Sequence, residues 1–218
     1  EWDSSDKAFT YRTIGGAHRV EQGLADVLVH DSLREMQEAV AACMEKGIPA
    51  HRSTMLEHYR ALVDAAAPGP AAGQTAPAHS RGRIWFEALT KGGTPVETTV
   101  GSVLAADITV GGKPCRVIAV VPDANTAYPR TVKGEVGLQQ GWELARIVRA
   151  TMEEDKDKAE KRAITALVDV PSQAYGYREE YNGIFLSCAA SVNSYADARH
   201  AGHPVVTFIV GNAISGAF

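Results

Sequence analysis

Two short turns built from small residues each follow an apolar run that reads as a β-strand. The first, Pro171-Ser172-Gln173-Ala174-Tyr175-Gly176, follows 163–170, and the second, 211–218, follows 204–210. Ligands gather at the carboxyl ends of strands in a parallel sheet. Small residues let the backbone approach a ligand closely, and N–H groups left free at a turn or a helix start can hold an anionic oxygen. Two such turns side by side would form an oxyanion hole from backbone amides alone. On pattern alone this competes with a plainer reading, in which the glycines only let the chain turn.

Other candidate chemistry is thinner. Ser172 and Ser215 lie in the turns, but neither sits in a GxSxG elbow, so a serine-hydrolase triad is not indicated. His200 and His203 straddle a predicted helix end, where imidazoles commonly meet free carbonyls. His203 and Tyr175 are candidates for a proton donor by position only. Asp169 reads as closing its turn, and Glu179-Glu180 as the negative charge favoured in a helix's first turn. Cys43, Cys115 and Cys188 form no CxxC pair, so they read as buried thiols with neither a zinc site nor a disulfide framework. No phosphate loop, HExxH or dinucleotide fingerprint is present, and no metal is expected.

The elements that must position the turns follow from periodicity. Runs at 102–110 and 115–121 flank Gly111-Gly112-Lys113 and predict a hairpin. A helix is predicted over 136–154, and 153–161, of mixed charge sign, reads as a solvated face. Strand 163–170, a helix over 178–201 and strand 204–210 predict a right-handed βαβ unit in a buried parallel sheet. Upstream, Leu33, Met36, Val40, Cys43 and Met44 recur at helical spacing behind a capping box at Ser32 and Glu35. A second helix is predicted over 53–66, and Gly15-Gly16 places a turn within 12–19. The stretch 64–80 is dominated by alanine, proline and glycine and reads as a linker. The expected organisation is a helical segment over 1–67, a linker over 68–79 and an α/β body over 80–218.

The 218 residues carry a formal net charge of -4 without basic clusters, which argues against nucleic acid and anionic lipid. No stretch approaches the length of a membrane span and no leader opens the chain, so a cytoplasmic protein is expected. The chain opens at Glu1 and stops at Phe218 just after a strand, and both ends read as cut from something longer.

At these residues a family becomes recognisable. Residues 80–218 resemble the amino-terminal part of the malonate decarboxylase γ subunit through SRGRIWFEAL (80–89), VIAVVPDANTAYPR (117–130), GEVGLQQGW (134–142), DVPSQAYGYREE (169–180) and ARHAGHPVVTFIVGNAISGAF (198–218). Residues 1–67 resemble the carboxyl-terminal tail of the β subunit through YRTIGGAHR (11–19) and ADVLVHDSL (25–33). The order resembles a piece of a fused β–γ chain of the biotin-independent enzyme.

The resemblance implies an α/β fold of the crotonase-like (ClpP/crotonase) type, a ββα superhelix incomplete in this chain. It implies an active site between β and γ that decarboxylates a malonyl thioester on an acyl carrier protein, leaving the acetyl thioester. The expected partners are the rest of β and γ, that carrier protein and a transferase subunit. No bound cofactor is expected, since the substrate rides on the carrier's CoA-like prosthetic group. Backbone donors would come from Ser172-Gln173 and Ser215-Gly216, with Pro171, Gly211 and Ala217 against the substrate. Biotin-dependent carboxyltransferases tend to have Pro-Gly and a hydrophobic residue in the first turn, whereas this chain has Pro171-Ser172-Gln173. Two alternatives stay open: a carboxyltransferase subunit of a biotin-dependent enzyme, and a non-catalytic scaffold that docks the carrier. The chain alone is expected to be inactive.

Overall fold

The computed structural model describes residues 5–47, 55–65 and 75–214. Strand β1 (Thr94–Val96) lies antiparallel on β2 (Val103–Val110), and β2 antiparallel on β3 (Lys113–Val120). Gly111 and Gly112 join β2 to β3 with φ of 58° and 81°. Positive φ at both positions is what a two-residue turn matched to strand twist requires. Strands β4 (Ala163–Val170) and β5 (Val205–Ala213) then add in parallel, giving the order β1-β2-β3-β4-β5.

Both faces of the sheet's centre are covered, which is why β3 and β4 read as nearly continuous apolar runs. Ile118, Val120, Ile164, Val168 and Val170 meet Leu144, Ile147 and Val148 of helix α6 (Leu138–Asp155) on one face. Val117, Ala119 and Leu167 meet Phe86 of helix α5 (Arg81–Leu89) on the other. The helix expected over 178–201 is two helices, α7 (Tyr177–Tyr181) and α8 (Ile184–His200). They break at Gly183, whose φ of 78° cannot continue a right-handed helix. Helix α8 crosses α6 closely because Gly141 leaves room for Ser187, whose hydroxyl donates to the Leu138 carbonyl at 2.7 Å.

The amino-terminal segment is helical throughout much of its length. The turn expected within 12–19 is instead helix α1 (Lys7–Ile14), a break at Gly15, and helix α2 (Gly16–Glu21). Gly15 is extended, and a Cβ there would run into the Tyr11 carbonyl, so the glycine pair marks a helix junction. Helix α4 (Met55–Ala65) lies on the α/β body. Val63 is buried and its carbonyl accepts from the Tyr128 hydroxyl at 2.8 Å. Gln139 donates to Asp64 at 3.0 Å, and Arg60 to the Thr99 hydroxyl at 2.5 Å. Helix α3 (Leu33–Lys46) departs from expectation. None of its residues is buried, and its apolar stripe of Leu33, Met36, Val40 and Met44 faces outward. Cys43, read as a buried thiol, is exposed with it, whereas Cys115 is buried and Cys188 partly so. Most of the expected linker, 68–74, lies outside the described residues.

Candidate active site

Adjacent parallel strands bring the two sequence turns together. Val170 pairs with Ala213 across a register shift whose extra residues lie in β5, and the Ile214 amide donates to the Val170 carbonyl at 3.2 Å. The chain therefore leaves β4 toward Pro171 beside the point where it leaves β5 toward residue 214. Asp169 secures this edge, accepting from the Gly82 amide at 3.0 Å and the Asn212 amide at 2.9 Å. It joins α5, β4 and β5, which the sequence reading of a turn-closing residue did not foresee. Gly211 lies inside β5, because that strand runs past the expected 204–210 as far as Ala213. A Cβ at Gly211 would run into the Asp169 carboxylate.

The first turn is held from one side. The Val136 amide donates to the Ser172 carbonyl at 3.1 Å and the Ala174 amide donates to the Val136 carbonyl at 2.8 Å. This parallel bridge sets Val136 against Gln173. In such a bridge the middle residue's own N–H and C=O point away from the partner strand. The Ser172 hydroxyl donates to the Gln173 carbonyl at 2.9 Å. The Ser172 and Gln173 amides have no hydrogen-bond partner among the described residues. Ala174 is buried, Pro171, Ser172 and Gln173 are half-buried, and Tyr175 is exposed. The Arg130 guanidinium sits 5.0 Å from the Tyr175 ring centre and pairs with Glu135 at 2.8 Å. Gly176 donates to Glu179 at 3.1 Å, closing the turn onto α7.

Sequence reasoning missed Val136 as the residue that pins the turn. A signal was available in its flanking glycines. Gly134 has a φ of 89° and folds the chain back, and a Cβ on Gly137 would lie 3.5 Å from that of Ala174. Ser215, Gly216 and Ala217 lie outside the described residues. Among the candidates, Pro171, Ser172, Gln173 and Gly211 are brought to one edge.

His203 is not at that edge. It precedes β5, is buried, and its Nδ1 is 2.8 Å from the Arg162 carbonyl, among the amino ends of β4 and β5. The carbonyl it meets lies just ahead of β4 and not at the helix end, and this position removes it from the candidates for proton donor. The same end of the sheet holds an ion network. Arg116 reaches Asp107 at 2.8 Å and Glu154 at 3.0 Å, and Arg162 reaches Asp107 and Asp155, each at 2.9 Å. Asp155 was read as part of a solvated face and is instead 1% exposed. Burial pushes its carboxyl up, but Lys158, the Arg162 amide and the Arg162 guanidinium outweigh that and hold it down at about 2. Among the described residues no group of histidine, cysteine and carboxylates could hold a metal.

Residues 131–218 match the family described as the malonate decarboxylase gamma subunit. The chain is similar to that family over these residues. Solved structures and curated proteins match as well. The Pseudomonas malonate decarboxylase MdcD-MdcE hetero-dimer has 48% sequence identity and a TM-score of 0.62, over 64% of this chain and 55% of that one. Two proteins of Malonomonas rubra, both malonyl-S-ACP:biotin-protein carboxyltransferases, also match. MADD is 41% identical over 112 residues, 50% of this chain and 38% of its own length. MADC is 41% identical over 46 residues, 21% of this chain and 14% of its own length. The chain thus spans less than two thirds of each relative. The five-stranded sheet with helices on both faces is a crotonase-like α/β fold, similar over part of its length to that of the Pseudomonas MdcD-MdcE hetero-dimer. No helix among the described residues is long and apolar enough to cross a membrane.

Proposed function

We propose that this chain forms part of the decarboxylase component of a malonate decarboxylase, fusing the end of a β subunit to the start of a γ subunit. The substrate is a malonyl thioester on a carrier protein with a CoA-like arm. Breaking the bond between the α-carbon and the carboxylate releases carbon dioxide. The bonding pair moves into the thioester as an enolate, and a proton added at the α-carbon gives acetyl thioester. Charge therefore builds on the thioester oxygen.

Preorganised N–H donors aimed at that oxygen lower the barrier, each worth about 3 kcal/mol. The observation that supports this reading is the Gln173 amide. It is left unpaired among the described residues, in a turn held from behind by Val136, beside the exit of β5. The second donor in this reading is the Ser215-Gly216 stretch that follows. Gln173→Pro removes the amide, whereas Gln173→Ala keeps it. In the complete enzyme, Gln173→Ala should retain most turnover. Gln173→Pro should slow carbon dioxide release by about a hundred- to a thousandfold. Circular dichroism and subunit assembly must be unchanged. A well-folded Gln173→Pro enzyme with normal turnover would show that the turn only reverses the chain.

A second reading has its own support in the names of MADD and MADC, which transfer carboxyl from malonyl-S-ACP to a biotin protein. The same enolate would form there, with the carboxyl group passed to biotin instead of lost. Identity favours the decarboxylase, at 48% over a longer share of the chain than the 41% of MADD.

A further inference from the structure

Resting on the reading of 171–176 as an enolate-binding turn, we propose that Arg19 is a positioning residue for that turn, acting from the β-like segment through α7. Arg19 is 8% exposed, and its fork spans two consecutive carbonyls at the end of α7. Nη2 donates to Glu180 at 2.8 Å and Nη1 to Tyr181 at 3.2 Å. Its guanidinium carbon also lies 4.9 Å from the Phe185 ring centre. Beside it, the His18 ring is 4.3 Å from that of Tyr181, and the Phe9 ring 4.9 Å from that of Tyr177. Both ends and one face of α7 are thus gripped, the far end and the face by residues more than a hundred positions upstream.

Helix α7 has five residues, too few for its own hydrogen bonds to fix its direction. Of its last carbonyls, that of Glu180 also accepts from the Gly183 amide at 3.2 Å, whereas that of Tyr181 has no backbone donor among the described residues. A planar guanidinium bridges the two together, which a single ammonium cannot do with the same geometry. At its other end, α7 is capped through Glu179 to Gly176, the last residue of the turn. Only Tyr175 separates Gly176 from Ala174, which Val136 holds. Val136 therefore holds both neighbours of Gln173, and Arg19 holds the far end of the helix into which that turn runs. Placing an amide for an enolate is sensitive to shifts of about 1 Å, so loosening α7 should reach turnover before it reaches substrate binding.

The test uses the complete enzyme carrying Arg19→Ala or Arg19→Lys. Arg19→Ala should lower kcat for carbon dioxide release from malonyl thioester about tenfold to a hundredfold, with KM and assembly unchanged. Added guanidinium ion should restore part of the lost kcat in Arg19→Ala and none in Arg19→Lys. Normal kcat in an assembled Arg19→Ala enzyme would overturn the proposal. So would a loss of melting temperature alone, or rescue of stability without rescue of kcat. If Arg19→Ala fails to assemble, Arg19→Lys decides, since a normal kcat there contradicts the need for the fork. Gln173→Pro separates the two levels. A slow Gln173→Pro enzyme beside normal Arg19 variants defeats only this inference, whereas normal turnover in Gln173→Pro defeats the turn's role and this inference with it.

Discussion

Asp169 accepts one amide from α5 and one from β5, so a single carboxylate fixes the sheet edge from which both turns leave. Its partners are 87 and 43 residues away, and no local spacing announces them. Gln173 and Ser172 could be singled out in the sequence because small residues after an apolar run are a local pattern. Val136 shows only its flanking glycines, and its bridge to Gln173 joins residues far apart in the chain. The same limit hid Asp155, whose mixed-charge surroundings look solvated until folding brings Arg162 onto it. Asp155 makes a sharp prediction. Its carboxyl is held at about 2, below the usual value of 3.8, so its contribution to stability is complete above 3.8 and lost as pH falls toward 2. Asp155→Asn takes one carboxylate from Arg162, leaving it Asp107 and Glu154, and should cost about 2 kcal/mol at neutral pH. Urea unfolding across pH should show the two proteins converging as pH falls through that window. A difference that stays constant from neutral pH to pH 2 would contradict the assignment.

Strands and hairpins were legible because their signals are short-range. The Gly111-Gly112 turn and the unbroken apolar runs of β3 and β4 place three strands within two residues of their observed bounds. Helices α5 and β-strand β1 fall where periodicity assigns nothing, and packing against the sheet decides them. The stripe on α3 predicts the helix correctly, but helical spacing reports an apolar face without reporting what covers it. At the junction between segments, composition and contacts act on different residues. The alanine, proline and glycine of 64–80 leave little to bury, whereas Val63 and Arg19 fasten the helices before it onto the body. Limited proteolysis should therefore cut first within 64–80, and the two products should co-elute. Early cleavage inside 163–210, or separation of the products after the first cut, would contradict this arrangement.

At the scale of the whole molecule, the amino-terminal helices and the α/β body meet beside the candidate turn. Arg19 and Phe9 reach α7 at one place, and α4 lies on Tyr128 and Gln139 at another. The amino ends of the same strands carry a network of ion pairs far from any proposed chemistry. This polarity, with salt bridges at one end of the sheet and free amides at the other, fits a site that needs a rigid base and an open mouth. The decarboxylase and the biotin-dependent reading share that mouth and the enolate formed in it. They differ in where the carboxyl group goes. The deciding measurement is carbon dioxide release from malonyl thioester by the complete enzyme, with and without avidin. The decarboxylase account predicts the same rate of release, together with acetyl thioester, in both. Release that stops when avidin is added, and returns with a free biotinyl carrier, would contradict it.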